Sequence, residues 1–427
     1  MATVRQPAFE TPIATLAVEV VHGPDRGLAR TTESDTCTVG TATDNHLVLT
    51  DRAVSRYHVD VVRRADGIGI VDQQSTNGTW LGALRLERAV LPPGTIVRIG
   101  DTQLRLGEGP AGTIALHPRG DLAGMVGESP PMRRLFAQIE RAARSEASVL
   151  VLGESGTGKE LVARSIHELG PRAAGPIVTV DCGSVAPALI ASELFGHERG
   201  AFTGASHQHV GALERAHGGT IFFDEIGELP LPLQSSLLGV LQRRRFRRVG
   251  GREEIPVDVR VVSATHRDLR AEVNAGTFRL DLFYRLAVVT LRVPALRERS
   301  SDVPLLVQAF LREAGAPPDV FSDETLAQLA AQRWSGNVRE LRNLVESTLA
   351  MGELASELPA PLDTTGRDTR SASAPYREAR ARVLDDFEHS YLHRLYERTG
   401  GNVSLAAREA RMDRSHLVTL LKKHGVK

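Results

Sequence analysis

Lysine is nearly absent from this 427-residue chain: there are four against 48 arginines, and in the first 421 residues Lys159 stands alone. A gene that meets its need for positive charge with arginine and keeps one lysine requires a compact ammonium at that point, not a planar fork. Cysteine is almost as scarce. Cys37 and Cys182 lie far apart and make no metal spacing, so free thiols in a reducing compartment are expected. No apolar run reaches the roughly 18 residues of a membrane span, and no charged start precedes an apolar stretch, so neither membrane insertion nor secretion is expected. Formal net charge is +0, so any contact with nucleic acid must come from a local cluster. What remains, with 41% hydrophobic residues, is a soluble cytoplasmic protein long enough for several domains.

Lys159 closes the run Gly153, Glu154, Ser155, Gly156, Thr157, Gly158, Lys159. An apolar segment precedes the run and a helical pattern follows it, the order that presents backbone N–H groups to phosphates at a helix N-terminus. A nucleotide such as ATP, with Mg²⁺, is the expected ligand. Glu160 stands where a Ser or Thr ordinarily ligates the metal. Further on, the buried-strand pattern at 220–223 ends in Asp224 and Glu225. An acidic pair at that place suits ATP hydrolysis, Asp224 holding Mg²⁺ and Glu225 orienting or deprotonating the attacking water.

Residues 14–106 alternate apolar and polar positions between Gly, Asp and Asn turns, which predicts a β-sandwich. Residues 107–123 are rich in Gly and Pro and read as a linker. From about 124 to 295 buried strands alternate with helices, the α/β pattern of a parallel sheet. Helical spacing covers 296–350, a Pro/Ser/Thr/Ala linker follows over 356–375, and the last fifty residues are helical again.

The segment from about 124 to 350 resembles the AAA+ domain of bacterial enhancer-binding proteins, the activators of sigma-54 RNA polymerase. The resemblance rests on GESGTGKE at 153–160, SELFGHERGAFTGA at 192–205, GGTIFFDEIGELP at 218–230, FRLDLFYRL at 278–286 and WSGNVREL at 334–341. It implies a P-loop ATPase with a helical lid, working as a ring and expected to be hexameric. Within it Glu160 is ordinary. It also implies that Gly200, Ala201, Phe202, Thr203, Gly204 and Ala205 form a projecting loop that contacts sigma-54. Arg279 and Arg285 match the arginine fingers that reach a neighbour's nucleotide, Arg339 the sensor arginine of the lid, and His266 the first sensor. Asp181 stands where the family usually has an Asn that switches the catalytic glutamate. An ionised Asp only accepts hydrogen bonds and repels Glu225, so either Asp181 is protonated when they meet or another group does the work. The run Arg243–Arg248, taken alone a nucleic-acid patch, falls in a hairpin of the ring and reads as solvated or inter-subunit.

Ser55, Arg56 and His58, with Ser75-Thr-Asn-Gly-Thr79, resemble the forkhead-associated (FHA) domain. That implies a phosphothreonine peptide held by Ser55 and Arg56 at its phosphate and by Asn77 at its backbone, with His58 bracing the loops. The family's phosphate-binding arginine is replaced by Thr41, for which Arg52 is a possible substitute by position. Phosphopeptide binding and a purely protein-interacting or autoinhibitory module both stay open.

At the C-terminus Val383, Phe387, Tyr391 and Leu395 form one helical stripe. Two short helices with a tight turn then suggest a helix-turn-helix for double-stranded DNA, resembling the Fis-type domain. Arg414, Ser415, His416 and Thr419 would meet bases, Lys422 and Lys423 phosphates. From Gly400 onward six basic residues face two acidic ones. The expected layout is an FHA domain over 1–109, a linker over 110–123, an AAA+ core over 124–295, its lid over 296–355, a linker over 356–380 and the helix-turn-helix over 381–427. Two rivals are a DNA-bound ATPase uncoupled from sigma-54 and a scaffold recruited through the FHA module.

Overall fold

The computed structural model describes residues 9–32, 36–64, 66–183 and 187–351, and the single positions 403, 406, 407, 412, 417, 418 and 421. The chain divides into two units, 1–356 and 357–427. In the first, alternation builds a sandwich from β1 (Phe9–His22), β2 (Ala29–Thr32), β3 (Thr36–Gly40), β4 (Leu47–Val48), β5 (Val59–Arg64), β6 (Gly67–Asp72), β7 (Thr79–Leu81), β8 (Leu84–Leu86), β9 (Arg88–Leu91), β10 (Ile96–Ile99) and β11 (Thr102–Leu116). Strand β10 shows the rule: Val97 and Ile99 are buried while Ile96 and Arg98 face out. One sheet runs β2-β1-β11-β10-β7-β8 and the other β4-β3-β5-β6-β9. Between them lie Val18, Val39, Val61, Ile70, Val97 and Leu104, all fully or almost fully buried.

The stretch that reads as a linker carries structure. Strand β11 continues to Leu116 because β1 supplies a partner along that length, Phe9 opposite Leu116 and Ile13 opposite Gly112. A hairpin of β12 (Asp121–Leu122) and β13 (Met125–Val126) follows, and its Leu122 and Met125 are buried in the core beyond. Composition marked this segment as loop; pairing with a distant strand overrides it.

Next come α1 (Pro130–Ala143), β14 (Val149–Leu152), α2 (Lys159–Glu168), β15 (Ile177–Asp181), α3 (Pro187–Phe195), α4 (Ala212–Arg215), β16 (Thr220–Asp224), α5 (Leu231–Arg243), the β17–β18 hairpin (Arg245–Phe246, Ile255–Pro256), β19 (Arg260–Thr265), α6 (Leu269–Ala275), α7 (Leu280–Leu286) and β20 (Val289–Arg292). The parallel sheet runs β15-β16-β19-β14-β20, which sets the glycine loop after β14 beside the ends of β16 and β19. The lid comprises α8 (Val303–Glu313), α9 (Asp323–Ala330) and α10 (Asn337–Met351).

Helix α1 has no capping side chain of its own and is closed by distant charges. Asp302 accepts hydrogen bonds from the Glu128 and Ser129 N–H groups at 2.9 and 2.8 Å, where the helix dipole favours an anion. At the other end buried Arg260 donates to the Ala142 and Ala143 carbonyls at 2.7 and 3.0 Å. These two contacts tie the first helix to the lid and to β19.

In the C-terminal unit Val403, Ala406, Ala407, Leu417 and Leu421 form a buried cluster, with Met412 and Val418 packed on it. The apolar stripe at 383–395 and the DNA-contact candidates Arg414, Ser415, His416, Thr419, Lys422 and Lys423 lie outside the described residues. Among the described residues no helix is long and apolar enough to cross a membrane.

Candidate functional site

The loop from Gly153 to Gly158 turns the chain from β14 into α2. Gly158 starts the helix at φ 103° and Gly156 lies at φ 76°, conformations that favour glycine. A Cβ on Gly156 would lie 2.2 Å from the Gly336 carbonyl oxygen, so the loop also needs glycine to let the lid approach.

Lys159 is 7% exposed and reaches back along the loop, its Nζ donating to the Gly153 carbonyl at 3.0 Å. The same ammonium pairs with Glu225 Oε1 at 3.1 Å. Glu225 follows Asp224 at the end of β16 with φ at +49°, and its other oxygen accepts from the His266 N–H at 3.1 Å and lies 2.7 Å from the His266 Nδ1. Burial alone pushes the Glu225 carboxyl up, but the His266 and Lys159 hydrogen bonds outweigh it and hold the group below the usual carboxylate range. Asp224 moves the other way, raised by burial and by the neighbouring charge of Glu225. A lysine, two carboxylates and a histidine therefore converge beside the glycine loop. Among the described residues no group of three His, Cys, Asp or Glu could hold a metal, so a divalent ion here would need phosphate oxygens besides Asp224.

Asp181 Oδ1 accepts from the Gly183 N–H at 2.8 Å, and Glu225 is held by His266 and Lys159. Glu160 turns out to solvent, 62% exposed and 3.5 Å from Arg164. Thr157 bonds the Glu154 carbonyl at 2.8 Å.

The lid grips the other side of the loop through Arg339, which its motif position singled out, and through Asn337, Arg297 and Arg299, which motif reading did not. Asn337 is fully buried at φ +55°; its Oδ1 accepts from the Leu296 N–H at 2.9 Å, and its amide donates to the Ser155 carbonyl at 3.0 Å and to Glu154 Oε2 at 3.2 Å. Arg297 forks onto Glu154 at 2.7 and 2.5 Å and, with Asn337, lowers its pKa to about 2. Arg339 donates to Ser155 Oγ at 3.2 Å, and buried Arg299 to the Thr157 carbonyl at 3.2 Å. An Asn beside a Gly was the one local hint of a left-handed residue here.

Arg279 caps α7, forks onto Asp281 at 3.0 and 2.7 Å and reaches Ser235 Oγ at 3.2 Å. Arg285 donates to the Leu241 carbonyl at 3.0 Å. Both bond within the chain.

The hexapeptide makes a tight turn, with Gly200 N–H to the Ala205 carbonyl at 2.8 Å and Ala205 N–H to Phe202 O at 3.0 Å. Gly200 and Gly204 sit at φ 82° and 105° in open space. Phe202 is 40% exposed, resting edge-on against His197 at 4.9 Å, while Ala201 approaches Gly250 of the neighbouring hairpin loop. That hairpin holds the base of the turn: the half-buried Arg248 pairs with Glu198 at 2.9 Å and Glu214 at 2.8 Å. Arg244, Arg245 and Arg247 pair with Asp258 and Glu254, so four arginines of the 243–248 run are engaged by carboxylates.

At the loop end of the sandwich, buried His58 accepts from the Ser55 N–H at 3.0 Å and sits 3.1 Å from the Gly78 carbonyl, joining two loops. Ser55 Oγ accepts from Thr76 N–H at 3.0 Å and Asn77 donates to the Ala53 carbonyl at 2.8 Å. Arg52 and Arg56 are exposed and Thr41 is half-buried.

Three family models match: the sigma-54 interaction domain over residues 125–292, the AAA+ ATPase lid domain over 297–374, and the cytoplasmic domain of an inner membrane component of T3SS over 19–109. The transcriptional regulatory protein GlrR of Escherichia coli is 43% identical over 304 residues, 70% of this chain and 68% of that protein. The Nif-specific regulatory protein of Azotobacter vinelandii is 48% identical over 272 residues, 62% and 52% of the two. The crystal structure of NtrX from Brucella abortus with ADP aligns over 72% of this chain and 70% of that one, at 40% identity and a TM-score of 0.53.

Proposed function

The chain belongs to the family of transcriptional regulators built on the sigma-54 interaction domain with an AAA+ lid, and from that premise we propose that it hydrolyses ATP to drive sigma-54 RNA polymerase into the open promoter complex. The observation that carries the reading is the Lys159–Glu225–His266 cluster beside the glycine loop. Without a phosphate the ammonium pairs with Glu225. When a nucleotide takes Lys159, Oε1 of Glu225 is released to accept a proton from water, while His266 keeps the other oxygen in place. Mg²⁺, held by Asp224 and the phosphates, would neutralise charge developing on the nucleotide. Arg279 and Arg285 would leave Asp281 and Leu241 for a neighbour's γ-phosphate, which requires a ring. The glycine-flanked turn, with Phe202 and Thr203 at its tip and Arg248 at its base, is the part placed to carry that motion to sigma-54.

The ends of the chain fit the same reading. Pairing of Val403, Ala406 and Ala407 with Leu417 and Leu421 suits two short helices in contact, as a helix-turn-helix at upstream DNA requires. The Ser55–His58 and Thr76–Asn77 loops, braced by His58, suit a phosphothreonine peptide, with Arg56 or Arg52 free to meet the phosphate.

Open-complex formation with sigma-54 polymerase tests the core of the proposal. ATP should support opening by the wild type, and Thr203→Ala should abolish it while turnover persists. A wild type that hydrolyses ATP and never opens the promoter would sink the coupling and favour a DNA-bound ATPase acting otherwise. Glu225→Gln that binds ATP and turns over normally would sink the catalytic assignment.

A further inference from the structure

The loop end of the sandwich is docked on α6 and α7, the two helices that lead to and carry the finger arginines. Tyr57 lies between Arg56 and His58 and is 1% exposed. Its ring meets Phe283 of α7 edge-on at 5.7 Å, with the Arg270 guanidinium 5.4 Å over its face. Ala42 and Tyr57 fall in one buried cluster with Leu282, Phe283 and Leu286. Asn274 on α6 donates to the Tyr57 carbonyl at 2.6 Å and the Gln73 carbonyl at 2.8 Å. Asp44 accepts from the Tyr57 and Tyr284 hydroxyls at 3.1 and 3.3 Å, so it joins the module to the residue before Arg285.

The contact is specific yet poorly satisfied. Both side-chain amide atoms of Gln73 and the Nε of Arg270 are buried without a partner. The Arg270–Asp60 pair stands at 3.7 Å, long for a salt bridge. Buried polar groups left unpaired make a docked state costly to hold and easy to exchange.

We propose that the sandwich is a latch on the finger helix. While Tyr57 and Asn274 hold it on α6 and α7, the finger arginines stay in their own subunit, and ATP turnover in the ring requires undocking. The latch is built from the loop that carries Ser55, Arg56 and His58, so a ligand there would bear directly on it; this coupling rests on the phosphothreonine reading above, whereas the latch does not.

Full-length wild type, Asn274→Asp and Tyr284→Phe decide the point through hydrogen exchange and steady-state ATP turnover. Asn274→Asp sets a carboxylate against two carbonyl oxygens. It should raise exchange at 57–60 and 270–284 together, leave exchange in β10 and β14 unchanged, and raise turnover about tenfold, the effect of losing about one to two hydrogen bonds. Tyr284→Phe removes one bond and should act in the same direction, more weakly, which keeps the test open if the Asp variant misfolds. Undocking with unchanged or lower turnover would overturn the latch, as would unchanged exchange. A phosphothreonine peptide library added to wild type tests the coupling. Turnover should rise on binding, and Asn274→Asp should show no further rise. Binding without effect refutes the coupling. No binding refutes the reading of the loops, while the variants still decide the latch.

Discussion

Asn337→Ala should loosen the lid from the glycine loop more than any surface change near the nucleotide site. The side chain makes three hydrogen bonds, to Leu296 N–H, the Ser155 carbonyl and Glu154, and no water reaches it. At about 1 kcal/mol each, these amount to about 3 kcal/mol. The backbone adds to the loss, because φ is +55° and alanine in that region costs roughly 1 kcal/mol more than glycine. The expected loss is therefore about 4 kcal/mol for Asn337→Ala and about 3 kcal/mol for Asn337→Gly. Trp334 gives the assay. It is 5% exposed three residues away in the lid, bonded to the Leu329 carbonyl, and Trp80 is the chain's only other tryptophan. In a Trp80→Phe background, urea unfolding followed by Trp334 fluorescence reports the lid alone. A loss below about 1 kcal/mol for Asn337→Ala, less than one net hydrogen bond, would refute the energetic argument, and a glycine variant weaker than alanine would refute its backbone half.

Three further outcomes follow from the same contacts. Asp60 is raised from an ordinary 3.8 to about 7, burial outweighing Arg270, with Asp268 pushing the same way as burial and Arg292 opposing it. The unfolded chain releases this proton first, so the stabilisation is complete below about 3.8 and is lost as pH rises through about 7. Asp60→Asn should flatten the thermal stability of the sandwich–core contact across that window, measured by melting at pH 5 and pH 8. Gln73→Met replaces an amide whose two polar atoms are buried without partners, and should stabilise the full chain by about 1 kcal/mol in thermal melts. Arg248→Ala removes the pairs with Glu198 and Glu214, and amide exchange across 197–201 should rise about tenfold while nucleotide affinity holds.

What was legible in the sequence was local. The glycine loop and α2 follow from spacing alone, the Asp224–Glu225 pair from an apolar run that ends in two acids, and the sandwich from strict alternation. The illegible parts are partners far apart in the chain. Asn337 meets Ser155 across 182 residues, Asp302 caps α1 across 173, and Asn274 reaches Tyr57 across 217. No period or motif encodes these meetings, which depend on how the sheets and helices stack. Motif position singled out His266, but nothing in the sequence said that its ring would hold Glu225. Asp60 shows the limit most plainly. Alternation in β5 places it on the outer face of the sandwich, where an acid is expected to be solvated, yet its side chain is only 16% exposed because Arg270 of α6 covers it.

The two contacts that bracket the finger helix and the glycine loop differ in kind, and the difference bears on which of them moves. The lid holds the loop through a fully bonded asparagine, an arginine fork and a buried arginine on a carbonyl, with close approach allowed by a glycine. The sandwich holds α6 and α7 through one aromatic pair, an arginine over the Tyr57 ring, one asparagine on two carbonyls, the Asp44–Tyr284 hydrogen bond and a long ion pair, and it leaves several polar atoms unpaired. An interface meant to be permanent would leave fewer buried polar atoms unpaired. A few kcal/mol of net affinity, the scale of such a contact, is also the scale that binding of one modest ligand overcomes, since a ligand at a hundred times its dissociation constant contributes about 2.7 kcal/mol. The lid contact is therefore the fixed side of the nucleotide site, and the sandwich contact the side at which a signal would enter.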